Sequence, residues 1–216
     1  MKNILMVCCL VIAGCLPNEV PRRMWMTEKV ERQKGIATIM VPIKEKENVF
    51  SSGTCFYMDT HGKRVVVTAG HVVEDDEGNA IISKRADIAI YHNKKSKYNA
   101  AFTPQTTEPW PPYVWVIGYN MGTYTEIKTK IIGYTHFNEN KDGPIIEHFK
   151  LAHEIKVGEE PHGMSGSPVL TPDRKRVIGV LISGMGKKPV MTCVKIEEAV
   201  KLVDRNWVIG ITEAKR

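Results

Sequence analysis

The sequence predicts an all-β protein of many short strands, finished by a single C-terminal helix. Three observations carry that reading. Ten short β-rich runs, separated by turn residues, follow residue 33. The 17 Gly and 12 Pro are scattered without period, as turn punctuation is, and are too few for a low-complexity chain. Apolar residues at helical spacing occur at the end, as Ile196, Ala199, Val200 and Val203. With 43% hydrophobic and 25% charged residues over 216 positions, the chain is globular, with room for one domain or two small ones. That composition excludes a disordered tail and a coiled coil.

In chain order, Met1 to Cys15 carries one positive charge at Lys2, an apolar run over 4–13, then Gly14-Cys15. This is the pattern of an export signal. Its apolar run is shorter than the ~20 residues a spanning helix needs. Ile12-Ala13-Gly14-Cys15 resembles the lipobox of bacterial lipoproteins. That resemblance implies a lipoprotein-type signal peptide over 1–14, lipidation of Cys15, and a membrane-anchored protein facing the periplasm or cell exterior. An ordinary signal peptidase cutting at the same small residues would give export without the anchor. Residues 15–33 are polar and contain Pro17 and Pro21, which reads as a tether.

The rest, 34–216, reads as one domain. Strands are expected at 37–42, 54–58, 64–68, 87–91, 113–118, 125–134, 145–155, 167–170, 177–183 and 190–195, each rich in β-branched or aromatic residues, with a helix over 197–206. Three of five cysteines fall in the signal or at its cut. The remaining two, Cys55 and Cys193, lie in β-like runs and are expected as buried thiols.

Three segments carry chemistry. In Gly163-Met164-Ser165-Gly166-Ser167-Pro168, glycines flank a serine, as a hydroxyl held on a tight turn beside backbone N–H groups requires. In 65–73, an apolar strand ends in Thr68-Ala69-Gly70-His71, where an imidazole can take a proton from that serine. In Asp87-Ile88-Ala89, a lone acid opens an apolar run and can fix the imidazole tautomer.

In this order and context, His71, Asp87 and Ser165 resemble the triad of the trypsin-like (chymotrypsin-fold) serine proteases. Thr68 to His71 is similar to the family's T-A-x-H motif, Asp87-Ile88-Ala89 to its D-[IL]-A motif, and Gly163 to Pro168 to its nucleophile loop. Ser52-Gly53-Thr54-Cys55-Phe56 resembles a strand of the bacterial branch, and Val116 to Gly122 its G-Y-P-x-G turn. Glutamyl endopeptidases and the protease domains of periplasmic stress proteases are the branches it is similar to. The resemblance implies a double six-stranded Greek-key β-barrel and a serine endopeptidase acting on protein or peptide substrates without a cofactor. Ser165 is then the nucleophile, His71 base and acid, Asp87 its orienting partner, and the Gly163 and Ser165 amides the oxyanion hole. Ser167 as nucleophile would leave Ser165 in the flanking glycine position, so it is rejected. Fifteen residues separate His71 from Asp87, a short excursion for the family, which keeps Asp75 and Asp76 as alternative acids. Met164 stands where relatives carry Asp or Asn, which removes the trypsin-style activation switch.

The implied substrate pocket lies between Glu159–His162 and the segment Leu181-Ile182-Ser183-Gly184. Leu181 holds the position of the His that pairs a glutamate side chain, which argues against glutamate specificity. Glu159 suits a basic residue, and Leu181 with Ile182 an aliphatic one. An inactive protease-fold lipoprotein that binds an envelope partner is the rival reading.

The remaining signals point away from other functions. His148 and His153 lack the i, i+4 spacing of a zinc helix, and the acidic run Glu74 to Glu77 reads as a solvated hairpin tip; no metal site is expected. Net charge is +6, yet Lys84, Arg85, Lys94, Lys95 and Lys97 lack interleaved aromatics, so no nucleic-acid partner is expected.

Overall fold

The computed structural model describes residues 35–44, 49–92, 100–137, 146–152, 162–184 and 190–213. The signal at 1–14, Cys15, the tether at 15–33, His153 and Glu159 lie outside the described residues.

Thirteen strands among the described residues form two sheets, antiparallel apart from one short parallel contact. The first contains β1 (Ile36–Pro42), β2 (Phe50–Thr60), β3 (Lys63–Ala69), β4 (Ile81–Ser83) and β5 (Ile88–His92), in the order β1-β2-β3-β5-β4. The second contains β7 (Val114–Asn120), β8 (Thr123–Thr129), β9 (Ile131–Phe137), β10 (Ile146–Ala152), β11 (Pro168–Leu170), β12 (Arg176–Gly184) and β13 (Val190–Lys195). Its order is β8-β7-β11-β12-β13-β10-β9, and the short β6 (Thr103–Pro104) lies parallel to β12.

Connectivity forces the second sheet to curl. Its two edge strands, β8 and β9, are consecutive in the chain with Lys130 alone between them. At that corner the Ala152 N–H donates to the Lys130 carbonyl at 3.0 Å, and the Thr129 hydroxyl donates to the Ala152 carbonyl, which holds the end of β8 against the end of β10. In the first sheet, β1 lies beside the 3-10 turn Glu74–Asp76 that leads towards β4.

Strand alternation sorts the side chains into three cores. Ala37, Ile39, Cys55, Tyr57, Val66, Ala89 and Tyr91 fill the first barrel, and Val116, Phe149, Met164, Val169, Ile178 and Cys193 fill the second. The alternate residues, including Phe56, Met58, Val65, Val67, Ile88, Ile90, Val177, Val180 and Val194, meet between the barrels. There they pack with Ile196, Ala199 and Val203 of the helix α1 (Ile196–Glu213). Each buried Val or Ile there contributes ~1.5–3 kcal/mol, whereas the exposed pair His61–Asp204, linking the β2–β3 turn to α1 at 2.8 Å, belongs to a class worth ~0–1 kcal/mol. Apolar packing therefore docks the helix.

The architecture is the expected one, with strands divided five and eight. Expected strand 125–134 is in fact two, because the chain leaves β7 and turns to β10 at Lys130 without a Gly or Pro to mark the corner. Strands β4 and β6 are three and two residues long, too short to show a period. Helix α1 runs past Asn206, whose side-chain amide donates to the Leu202 carbonyl at 2.8 Å and so joins the helix it was expected to end. Cys55 and Cys193 are both buried, in different cores, and form no disulfide. No helix among the described residues is long and apolar enough to cross a membrane.

Candidate active site

Strand register brings His71 to Asp87. Strands β3 and β5 pair with Ala69 opposite Ile88, so the residues after Ala69 meet the residue before Ile88. The Gly70 N–H donates to the Asp87 carbonyl at 2.9 Å, the His71 N–H to Asp87 Oδ1 at 2.8 Å, and the imidazole Nδ1 lies 2.8 Å from Asp87 Oδ2. The intervening chain is short because it needs only two single-turn 3-10 helices and the β4–β5 hairpin to return. Asp87 has φ +50°, in the left-handed region that costs a residue bearing a Cβ roughly 1–2 kcal/mol. Both carboxylate oxygens are thereby directed at one residue.

Asp87 raises the His71 pKa above its ordinary value, through the Nδ1 hydrogen bond first and charge attraction third, with partial burial opposing. The alternative acid Asp76 is otherwise engaged: it is buried and accepts from the Tyr91 hydroxyl at 2.9 Å and the Asn79 amide at 2.6 Å. Burial and the Asp76 carboxylate together push the Tyr91 hydroxyl far up.

The segment around Ser165 is packed on the back of the His71 loop. Gly166 has φ +89°, and a Cβ there would stand 2.0 Å from the Thr54 carbonyl oxygen and 2.4 Å from the Thr68 hydroxyl. No other residue type fits. Thr68 and Ala69, which bound this contact, lead directly into His71. Gly53 lies against both the Ser165 carbonyl and the side chain of Val72, the residue after His71. The serine and histidine segments are therefore neighbours, one from each barrel.

A single buried residue, Thr54 in β2, ties the two together. Its N–H donates to the Ser165 carbonyl at 2.8 Å, and its hydroxyl donates to the Gly163 carbonyl at 2.9 Å while accepting from the Tyr119 N–H at 3.0 Å. Its own carbonyl accepts from the Thr68 hydroxyl at 2.8 Å. The Gly163 and Ser165 N–H groups take part in no backbone hydrogen bond among the described residues. Met164 is fully buried in the second barrel, so the loop is anchored by packing. If the site acts as the serine hydrolase that the sequence resembles, Thr54→Val lowers kcat by about tenfold to a hundredfold with KM little changed, because displacing the Gly163 peptide by a fraction of an ångström spoils alignment. Thr54→Ser should recover most of it, and steady-state kinetics on both variants is the check.

Ser167 is fully buried, and its hydroxyl occupies the space a Cβ on Gly118 would need, 1.9 Å away. It offers no nucleophile to solvent. Of the expected pocket residues, His162 is exposed and its carbonyl accepts from the Met121 N–H at 2.7 Å; Leu181 is 1% exposed in the second barrel core; Ser183 is exposed near the end of β12, which Gly184 closes. Glu159 is outside the described residues. His148 is buried, with Nδ1 3.2 Å from the Ile146 carbonyl, and desolvation lowers its pKa. Thr54 falls in the Ser52–Phe56 segment that resembles the bacterial branch, but nothing in the sequence marks it as a positioning group, because its partners lie far away in the chain.

The fold is that of the trypsin-like serine proteases, two barrels and a C-terminal helix. No protein-family model matches the chain, and no curated protein does. Among solved structures it is similar to the active form of the Rv3671c protease from M. tuberculosis, with 14% identity, a TM-score of 0.60 and coverage of 81% of this chain and 82% of that one. It is similar also to the HtrA-type protease AlgW solved with a tripeptide, at 15% identity and a TM-score of 0.60, covering 81% of this chain and 61% of that one. Deg5 matches at 17% identity with a TM-score of 0.55, over 78% of this chain and 87% of that one. Likeness at this level of identity is a likeness of fold.

Proposed function

We propose that this protein is an exported serine endopeptidase, held at a membrane by a lipid on Cys15, that cleaves protein or peptide substrates through an acyl-enzyme. The observation that carries the reading is the two-point grip of Asp87 on His71, made at a strained backbone position beside the Ser165 loop. Strain of this kind persists where function requires a side chain in one place.

In the first half-reaction, Ser165 Oγ bonds to the scissile carbonyl carbon while His71 Nε2 takes its proton. The negative carbonyl oxygen is met by the Gly163 and Ser165 N–H groups. The C–N bond then breaks, and His71 returns the proton to the leaving amine. A water molecule repeats the sequence against the ester, releasing the acid and restoring Ser165. Asp87 stays ionised throughout, holding Nδ1–H and stabilising the imidazolium. Atoms and charge balance with no cofactor. Met164 provides no acid for a freed N-terminus to pair with, so the site is formed without that kind of processing.

Expression of the full chain in a bacterium, followed by fluorophosphonate labelling and peptide mapping, tests this reading. The expected result is one label on Ser165, in the membrane fraction. Labelled protein found wholly in the soluble periplasm overturns the anchor and leaves the hydrolase. Folded protein that takes no label overturns the hydrolase and favours an inactive envelope-binding protein.

A further inference from the structure

A cavity of about 420 Å³ opens beside Gly163 and shares His162 with the substrate pocket that the sequence suggests. Its other walls are the outer face of β1, the start of β2 and the β7–β8 turn, not the end of β12. On β1, Ala37, Ile39 and Val41 point into the barrel, which leaves Thr38 and Met40 on the opposite face. Ser52, paired with Met40 in register, continues that face. Tyr119 and Met121 close the far side. Met121 is 80% exposed, with φ +47°, and its N–H is fastened to the His162 carbonyl at 2.7 Å. Its thioether is thus carried on a turn tied directly to the residue before Gly163.

We propose that this cavity receives an apolar side chain of the substrate from the leaving-group side of the scissile bond. The proposal rests on the hydrolase reading above. Two strands flank the Ser165 loop: β12 on one side, through the Gly166 N–H to the Leu181 carbonyl at 2.7 Å, and β2 on the other, through the Thr54 N–H to the Ser165 carbonyl. With the acyl half expected along the end of β12, the amine half passes over β1 and β2. Among the described residues lining the cavity there is no Lys, Arg, Asp or Glu, and His162 is its one imidazole, while Met40, Met121 and Tyr119 offer two thioethers and a ring. A charged side chain would be desolvated there with at most that imidazole to meet it, and thioethers adapt to apolar groups of differing shape. The volume falls near the lower end of the ~300–1,000 Å³ typical of ligand pockets, which suits one bulky residue.

The test uses purified full-length protein and peptides that share one acyl half and carry Gly, Leu, Phe, Asp or Lys at the first or second position after the scissile bond. At one of these positions kcat/KM should be about tenfold to a hundredfold higher for Leu or Phe than for Gly or Asp. Hydrolysis of the common acyl-enzyme should not vary across the series, since the amine half has already left. Met40→Ala and Met121→Glu should each flatten the preference; Met121 is exposed, so that change does not disturb packing. A flat series, or a preference unaltered in both variants, overturns the assignment. Fluorophosphonate labelling of the same preparation separates the causes. A flat series from labelled enzyme removes this proposal only, and an unlabelled protein removes the hydrolase reading together with it.

Discussion

Ser165→Ala is expected to reduce peptide hydrolysis by on the order of a million-fold while leaving the protein folded. The loss is large because the hydroxyl forms the bond on which every later step depends, and removal of a nucleophile in such triads costs about that much. The fold survives because the cores of both barrels and the inter-barrel core contain no part of the Ser165 side chain. His71→Ala should cost about as much, and the double variant little more, since the two groups act as a unit. Initial rates on a chromogenic peptide, with thermal unfolding as the control for folding, give the result. A Ser165→Ala protein that keeps most of its activity would sink the mechanism.

Asp87→Asn should lower kcat by about 10⁴-fold, because an amide at this position stabilises the wrong imidazole tautomer and no longer balances the imidazolium. It also has a signature in pH. His71 works as a base when neutral, so kcat/KM rises with pH through the His71 pKa, which Asp87 holds above its ordinary value. Without the carboxylate the acidic limb of the profile should move to lower pH. The sign for stability is fixed by the same shift. A raised folded-state pKa means the His71–Asp87 pair contributes stability fully below the unfolded pKa of the imidazole, and loses it as pH rises through the folded one. A pH–rate profile whose acidic limb stays in place in Asp87→Asn would assign that limb to another group.

Much of this arrangement is legible in the sequence. The likeness of Thr68 to His71 and of Asp87-Ile88-Ala89 to the motifs of the trypsin-like proteases picks out the pair that the β3–β5 register joins. What the residues alone could not decide was whether Asp87 reaches His71 across so short an excursion. That depends on the β4–β5 hairpin, and β4, at three residues, leaves no periodic trace. Thr54 was hidden for a different reason: its importance is a matter of four hydrogen bonds to residues far apart in the chain, and sequence spacing does not carry long-range partners. The cavity beside Gly163 is likewise assembled from β1, β2 and the β7–β8 turn, which come together only when the barrels dock. Gly118 and Gly166 could be read as turn or motif glycines, but the need for them comes from atoms of Thr54, Thr68 and Ser167 occupying the space of a side chain.

The division of the site between two barrels has a consequence in time. His71 and Asp87 lie beside strands of the first sheet and Ser165 beside a strand of the second, and the apolar layer that joins the sheets includes Ile196, Ala199 and Val203 from a helix that follows every strand among the described residues. A growing or threading polypeptide exposes the histidine and its acid long before the segment that docks the halves has emerged. On the hydrolase reading, such a chain is harmless to whatever handles it while unfolded. Cutting begins when the last apolar stripe settles into place, so the order of residues along the chain itself delays activity until assembly is complete.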